Sequence, residues 1–148
     1  MIVADTGAIL ALLDRHEANH TRMVALYEQD PDAWILPWAI LPEVDYLVMR
    51  ELGPAAEQAW LDDLATAAFT VEWGARGDLA AAQALAKRYA SLAFGFVDAI
   101  VMTIAERLRA DVATFDLRHF GAVRLAHAPK LLPRDDESPR RTRGRRGR

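Results

Sequence analysis

The sequence predicts an α/β fold built on a mostly parallel sheet with helices on both faces. Three observations carry this. Short apolar runs alternate with segments of helical periodicity along the whole chain. The runs Ile2-Val3-Ala4 and Ala33-Trp34-Ile35-Leu36 are continuously apolar, as strands buried on both faces must be. The 148 residues, 52 % of them hydrophobic, suit one domain with a core of its own.

In order, a strand over Ile2–Asp5 leads into a helix starting at Ala8–Leu13. Glu17–Gln29 continues helical, with Met23, Leu26 and Tyr27 on one face. Asp30-Pro31-Asp32 is a turn, and Ala33–Leu36 is the second strand. Ala39–Leu52 is a helix that tolerates Pro42 near its start. Gly53-Pro54 ends it and opens a helix over Ala55–Ala68. Thr70–Trp73 is the third strand. Asp78–Leu92 is an alanine-rich helix with Asp78 as N-cap. Phe94-Gly95-Phe96 is a loop, and Val97–Arg109 a helix apolar nearly all round. Asp111–Phe115 is the fourth strand and Val123–Leu125 a short fifth. Pro129 and Pro133 mark the exit from a domain over residues 1–133.

Charge divides the chain. Residues 134–148 hold seven arginines and three acids, which leaves the domain at −7 within a chain total of −3. This basic C-terminal tail has almost no apolar residue, which predicts a disordered segment. With no cysteine, disulfides and thiolate metal sites are excluded, and any metal must be held by oxygen or imidazole. No apolar run is long enough to span a bilayer, and the N-terminus has no basic leader. A soluble cytoplasmic protein is the expectation.

Four acids fall at the carboxyl edge of the predicted sheet, where open parallel sheets bind their ligands. Asp5 ends the first strand, and Asp116 follows the fourth. Glu43 lies in the first turns of the helix after the second strand. Asp98 opens the helix that leads into the fourth. Each has a bland reading as an N-cap or as a first-turn acid favoured by the helix dipole. Together, four carboxylates would repel unless a cation joins them, and an all-oxygen set suits Mg²⁺ or Mn²⁺. Acid-bound Mg²⁺ is suited to phosphodiester hydrolysis. No nucleophilic triad or phosphate-cradling glycine motif competes.

Over about residues 1–127 the chain resembles the PIN-domain nucleases, specifically the toxins of VapBC-type toxin–antitoxin pairs. The resemblance rests on Val3-Ala4-Asp5-Thr6, Pro42-Glu43-Val44, Phe96-Val97-Asp98-Ala99-Ile100 and Ala113-Thr114-Phe115-Asp116-Leu117-Arg118-His119-Phe120, in that order. It implies a PIN-like three-layer α/β/α fold with a short, mostly parallel central sheet, its first and fourth strands adjacent. It implies an Mg²⁺-dependent endoribonuclease cutting structured RNA such as tRNA or rRNA. Asp5 and Asp98 would be the main metal ligands, with Glu43 and Asp116 completing the catalytic acids. Thr6 and Thr114 match positions where a hydroxyl often stands near the acids. Gly7 departs from the serine often found there. The family also implies a homodimer and a cognate VapB-type antitoxin whose basic segment covers the acidic groove. The alternative is a PIN-like module that binds RNA or a partner without cutting; a small-molecule phosphatase is a third reading.

Other polar residues carry weaker signals. His16, His20, His119 and His127 show no metal-ligand spacing and read as structural or exposed. Only His119 lies near the site. Trp34, Trp38, Trp60 and Trp73 are irregularly spaced and read as core or interface. The Arg-rich tail has two readings, as a phosphate-contacting arm or as an inert solvated terminus. Arg15, Arg22, Lys87, Arg88, Arg118 and Arg124 are further basic candidates for RNA contact.

Overall fold

The computed structural model describes residues 1–136. Five parallel strands form one sheet in the order β3-β2-β1-β4-β5. They are β1 (Ile2–Ala4), β2 (Trp34–Pro37), β3 (Thr70–Glu72), β4 (Asp111–Ala113) and β5 (Leu131–Leu132). Six α-helices cover the sheet: α1 (Thr6–Leu13), α2 (His20–Tyr27), α3 (Leu41–Leu52), α4 (Pro54–Ala65), α5 (Asp78–Arg88) and α6 (Phe96–Leu108). This is the three-layer α/β/α arrangement expected from the alternation of apolar runs and helices.

The chain lays down β1, β2 and β3 toward one side, then crosses back to place β4 against the other side of β1. The direction of winding therefore reverses between β1 and β4, which opens a crevice at their carboxyl ends. The register pairs Ala4 with Ala113, so Asp5 and Thr114 leave the sheet side by side. The Asp5 N–H donates to the Ala113 carbonyl at 3.1 Å and extends the ladder by one rung.

α6 is the central helix. Every residue from Ala99 to Ala105 is buried, and the helix packs on β1, β2 and β4 with α5 against it. Its continuous apolar sequence is explained by this double contact. Val3, Leu36 and Val112 meet it from the strands within one core.

Three details differ from the sequence reading. The segment before α2 is a turn, because the side chains of Asp14 and Glu17 accept the backbone N–H groups of His16 and Asn19. α5 ends at Arg88 and gives way to a 3₁₀ turn over Ala90–Leu92, closed by Ala93 at φ 53°. The fifth strand is Leu131–Leu132, not Val123–Leu125. It is pinned when Val112 N–H donates to Lys130 O and Thr114 N–H to Leu132 O, both at 2.9 Å. Asp135 accepts the Leu131 N–H at 2.8 Å, so ordered structure continues past Pro133. The tail reading falls mainly on residues 137–148, outside the described residues.

Candidate active site

Asp5 has the extended backbone of a strand end, and its carboxylate turns back over the first turn of α1. Oδ1 accepts the Ala8 N–H at 2.6 Å, the N-cap bond. Oδ2 accepts the hydroxyl of Thr114. That hydroxyl also accepts the Asp116 N–H at 2.9 Å. One buried threonine therefore fixes the rotamer of Asp5 and the path of the chain into Asp116. Both Asp5 and Thr114 are almost fully enclosed. Burial pushes the Asp5 carboxyl up to about 6, against the pull of its two hydrogen bonds; the charges of Asp98 and Asp116 add to the rise.

Asp98 lies in the first turn of α6, where the helix dipole favours an acid. Its carboxyl is raised chiefly by burial, with the Asp116 charge adding and His119 opposing. Asp116 occupies the turn after β4, and its Oδ1 accepts the His119 N–H at 3.1 Å. The His119 ring then folds back between the two acids. Its Nδ1 lies 3.0 Å from Asp98 Oδ2 and 3.0 Å from Asp116 Oδ2. Among the described residues, these three donor atoms form the one group lying within 4.8 Å of each other that offers ligands to a metal.

The structure thus brings Asp5, Asp98 and Asp116 into one electrostatic neighbourhood at the β1/β4 crevice. Glu43 stands in the first turn of α3, exposed, and is not one of the converging donors. Thr6 is buried, and its hydroxyl has no hydrogen-bond partner. At Gly7, a side chain would begin 3.6 Å from Asp5 Oδ1, so glycine leaves that approach to the acid open. The sequence placed His119 near the site by its three-residue spacing from Asp116, but did not show its contact with both acids.

The model of the PIN domain matches residues 2–125. The chain belongs to the PIN-domain family. Over 124 residues this PIN domain is 31 % identical to the ribonuclease VapC26 of Mycobacterium tuberculosis, covering 83 % of this chain and 92 % of that protein. Among solved structures, the sarcin–ricin-loop-cleaving toxin VapC20 of the same species superposes with a TM-score of 0.76 at 21 % identity, covering 86 % of this chain and 98 % of that one. VapBC2 from Rickettsia felis, solved with a fragment of its promoter DNA, gives 0.64 at 16 % identity over 88 % and 97 % of the two chains. The structural likenesses fix the fold of this PIN domain, and the identity to VapC26 groups it with the VapC-type ribonucleases.

The remaining candidates have mainly structural duties. Arg22 donates to Pro133 O at 2.7 Å and ties α2 to the end of β5. His20 Nδ1 meets Ala11 O at 2.8 Å, and His127 lies between Glu106 and Ala110 O. Trp34 and Trp60 are core residues, whereas Trp73 is 75 % exposed. Asp78 is the first residue of α5 rather than its N-cap, because Gly77 takes that position with φ 102°. Its buried carboxylate is instead gripped by Arg107 through two bonds of 3.0 Å.

Proposed function

We propose that this chain is a divalent-metal-dependent endoribonuclease, the toxin of a toxin–antitoxin pair. The carrying observation is the convergence of Asp5, Asp98 and Asp116 at the β1/β4 crevice. The kinship with VapC26 supports an RNA substrate. The donor set of carboxylate oxygens beside an imidazole, with no sulfur, fits a hard divalent cation of the Mg²⁺ or Mn²⁺ kind.

Asp98 and Asp116 would hold the ion, with Asp5 adding its charge to theirs and Glu43 completing the set of acids. Bound there, a divalent cation supplies Lewis-acid stabilisation to a phosphodiester undergoing hydrolysis. The protein's own part is positioning. Thr114 locks Asp5 and the Asp116 backbone, and the first turn of α6 positions Asp98. Thr6, with its buried unpaired hydroxyl beside Asp5, would support the same group.

The substrate in this reading is a structured RNA, such as tRNA or an rRNA loop. The acidic edge suits a basic inhibitory segment from a VapB-type antitoxin, by charge complementarity. A homodimer and a cytoplasmic location complete the reading, and no described helix is long and apolar enough to cross a membrane. The test is cleavage of total RNA with Mg²⁺ by the parent, Asp5→Asn and Asp98→Asn. Loss of cutting in both variants is expected; parental rates in both would overturn the mechanism. Calorimetric Mg²⁺ uptake separates this reading from a module that only binds RNA or a partner.

A further inference from the structure

The two more exposed carboxylates of the cluster, Asp98 and Asp116, share an imidazole. We propose that His119 Nδ1 is itself a ligand of the divalent ion, making a mixed nitrogen–oxygen centre that prefers Mn²⁺ over Mg²⁺. The inference rests on the metal-dependent reading above and adds a residue and a preference to it.

The first argument is geometric. Nδ1 lies 3.0 Å from Oδ2 of Asp98 and 3.0 Å from Oδ2 of Asp116, and all three atoms lie within 4.8 Å of one another. Six-coordinate ligands at about 2.1 Å from an ion stand about 3 Å from their neighbours and about 4 Å from the ligand opposite. The two nitrogen–oxygen distances therefore match neighbouring positions of one coordination sphere.

The second argument concerns aim. The ring is not a loose surface group. Its backbone N–H is tied to Asp116 Oδ1, its ring centroid lies 6.1 Å from that of Phe94, and its side chain is only 20 % exposed. The fold thus presents Nδ1, rather than Nε2, to the acids.

The third argument is the supply of donors. The Asp5 oxygens accept hydrogen bonds from Ala8 and Thr114 and are not among the atoms that converge within 4.8 Å. Glu43 is not among the converging atoms. Among the described residues, the further donor that converges with Asp98 and Asp116 is therefore a nitrogen. Imidazole nitrogen suits first-row transition ions, whereas Mg²⁺ keeps to oxygen and water. A 3.0 Å contact also suits a plain N–H to carboxylate hydrogen bond. In that case His119 only holds the acids in place, and losing it weakens every divalent ion alike.

The two cases separate by binding alone. Mn²⁺ and Mg²⁺ are titrated separately into the metal-stripped full-length protein by calorimetry, for the parent, His119→Ala, His119→Asn and Asp98→Asn. The parent is expected to bind Mn²⁺ more tightly than Mg²⁺. Both His119 variants should lose about tenfold in Mn²⁺ affinity and little in Mg²⁺, so that the ratio collapses. An unchanged Mn²⁺/Mg²⁺ ratio, with or without a loss of both, overturns the proposal. Asp98→Asn should lose both ions; full uptake by that variant would instead overturn the metal reading of the site.

A measurement on the parent avoids dependence on how the variants fold. In protein labelled with ¹⁵N-histidine, pulsed electron paramagnetic resonance of bound Mn²⁺ should show coupling to a directly bonded histidine nitrogen. Absence of that coupling overturns the proposal. Its presence in the parent and loss in His119→Asn assigns it to this residue among the four histidines.

Discussion

Asp5 holds two duties that pull in opposite directions. As an N-cap it stabilises α1, and as a buried charge beside two other acids it destabilises the fold. Its carboxyl is raised from the ordinary 3.8 to about 6, so the folded state binds the proton more tightly than the unfolded one. The proton's contribution is complete below about pH 4 and is lost as the pH climbs through 6, a change of about 3 kcal/mol. Urea unfolding in EDTA should therefore show stability falling from pH 4 to pH 6.5 in the parent, with that step absent in Asp5→Asn. The same variant should be more stable than the parent at pH 7 while cutting no RNA. Thr114 is the other residue to test. Thr114→Val keeps the shape but removes the donor to Asp5 and the acceptor for Asp116 N–H. A loss of about 1–3 kcal/mol in denaturant stability is expected, with restoration in Thr114→Ser. The acids were legible in the sequence because a charge at the end of an apolar strand, or inside an apolar helix, is conspicuous. The role of Thr114 was legible only through family resemblance, since a lone threonine has no pattern. His119 was legible only as a residue near the site, through its spacing from Asp116; its contact with Asp98 depends on a chain reversal of three residues that periodicity does not encode.

At the scale of elements, the sequence was readable wherever length and apolar content agreed. β1, β2 and the largely apolar stretch of α6 each bury what their composition requires. The fifth strand was misplaced because two residues carry no periodicity, and because Pro129 and Pro133 look like an exit while flanking it. Side chains also decide junctions that propensity does not. Arg107, near the end of α6, holds Asp78 at the start of α5 through two bonds of 3.0 Å and Glu72 at the end of β3 at 2.8 Å. Asp78 Oδ2 in turn accepts the Ala75 N–H at 2.8 Å. The residues are separated by 29 and 35 positions, so no local pattern announces the link. Arg107→Met keeps much of the packing but strands a buried carboxylate. We expect it to lower unfolding stability by about 2–4 kcal/mol. Adding Asp78→Asn should recover part of that loss in a double-mutant cycle, because the orphaned charge is then gone. Full additivity of the two changes would mean that the pair is not coupled.

The whole molecule sets an acidic body against a basic end. Residues 1–133 carry a net −7, and the crevice adds local negative potential at the place where RNA would have to approach. A polyanion meeting such a body needs cationic contacts elsewhere. Arg22 is committed to Pro133, and Arg107 to Asp78 and Glu72, which removes two arginines of the domain from that duty. Six arginines lie between residues 140 and 148. If these supply the phosphate contacts, truncation after Asp136 should reduce RNA affinity at low salt while leaving unfolding of the domain unchanged. The slope of log affinity against log salt should fall by about 4, since each single-strand phosphate contact contributes about 0.7. Binding is best measured in EDTA, so that affinity is read without turnover. An unaltered slope would assign the phosphate contacts to the domain itself, with Arg118, two residues beyond Asp116, the first to examine by substitution.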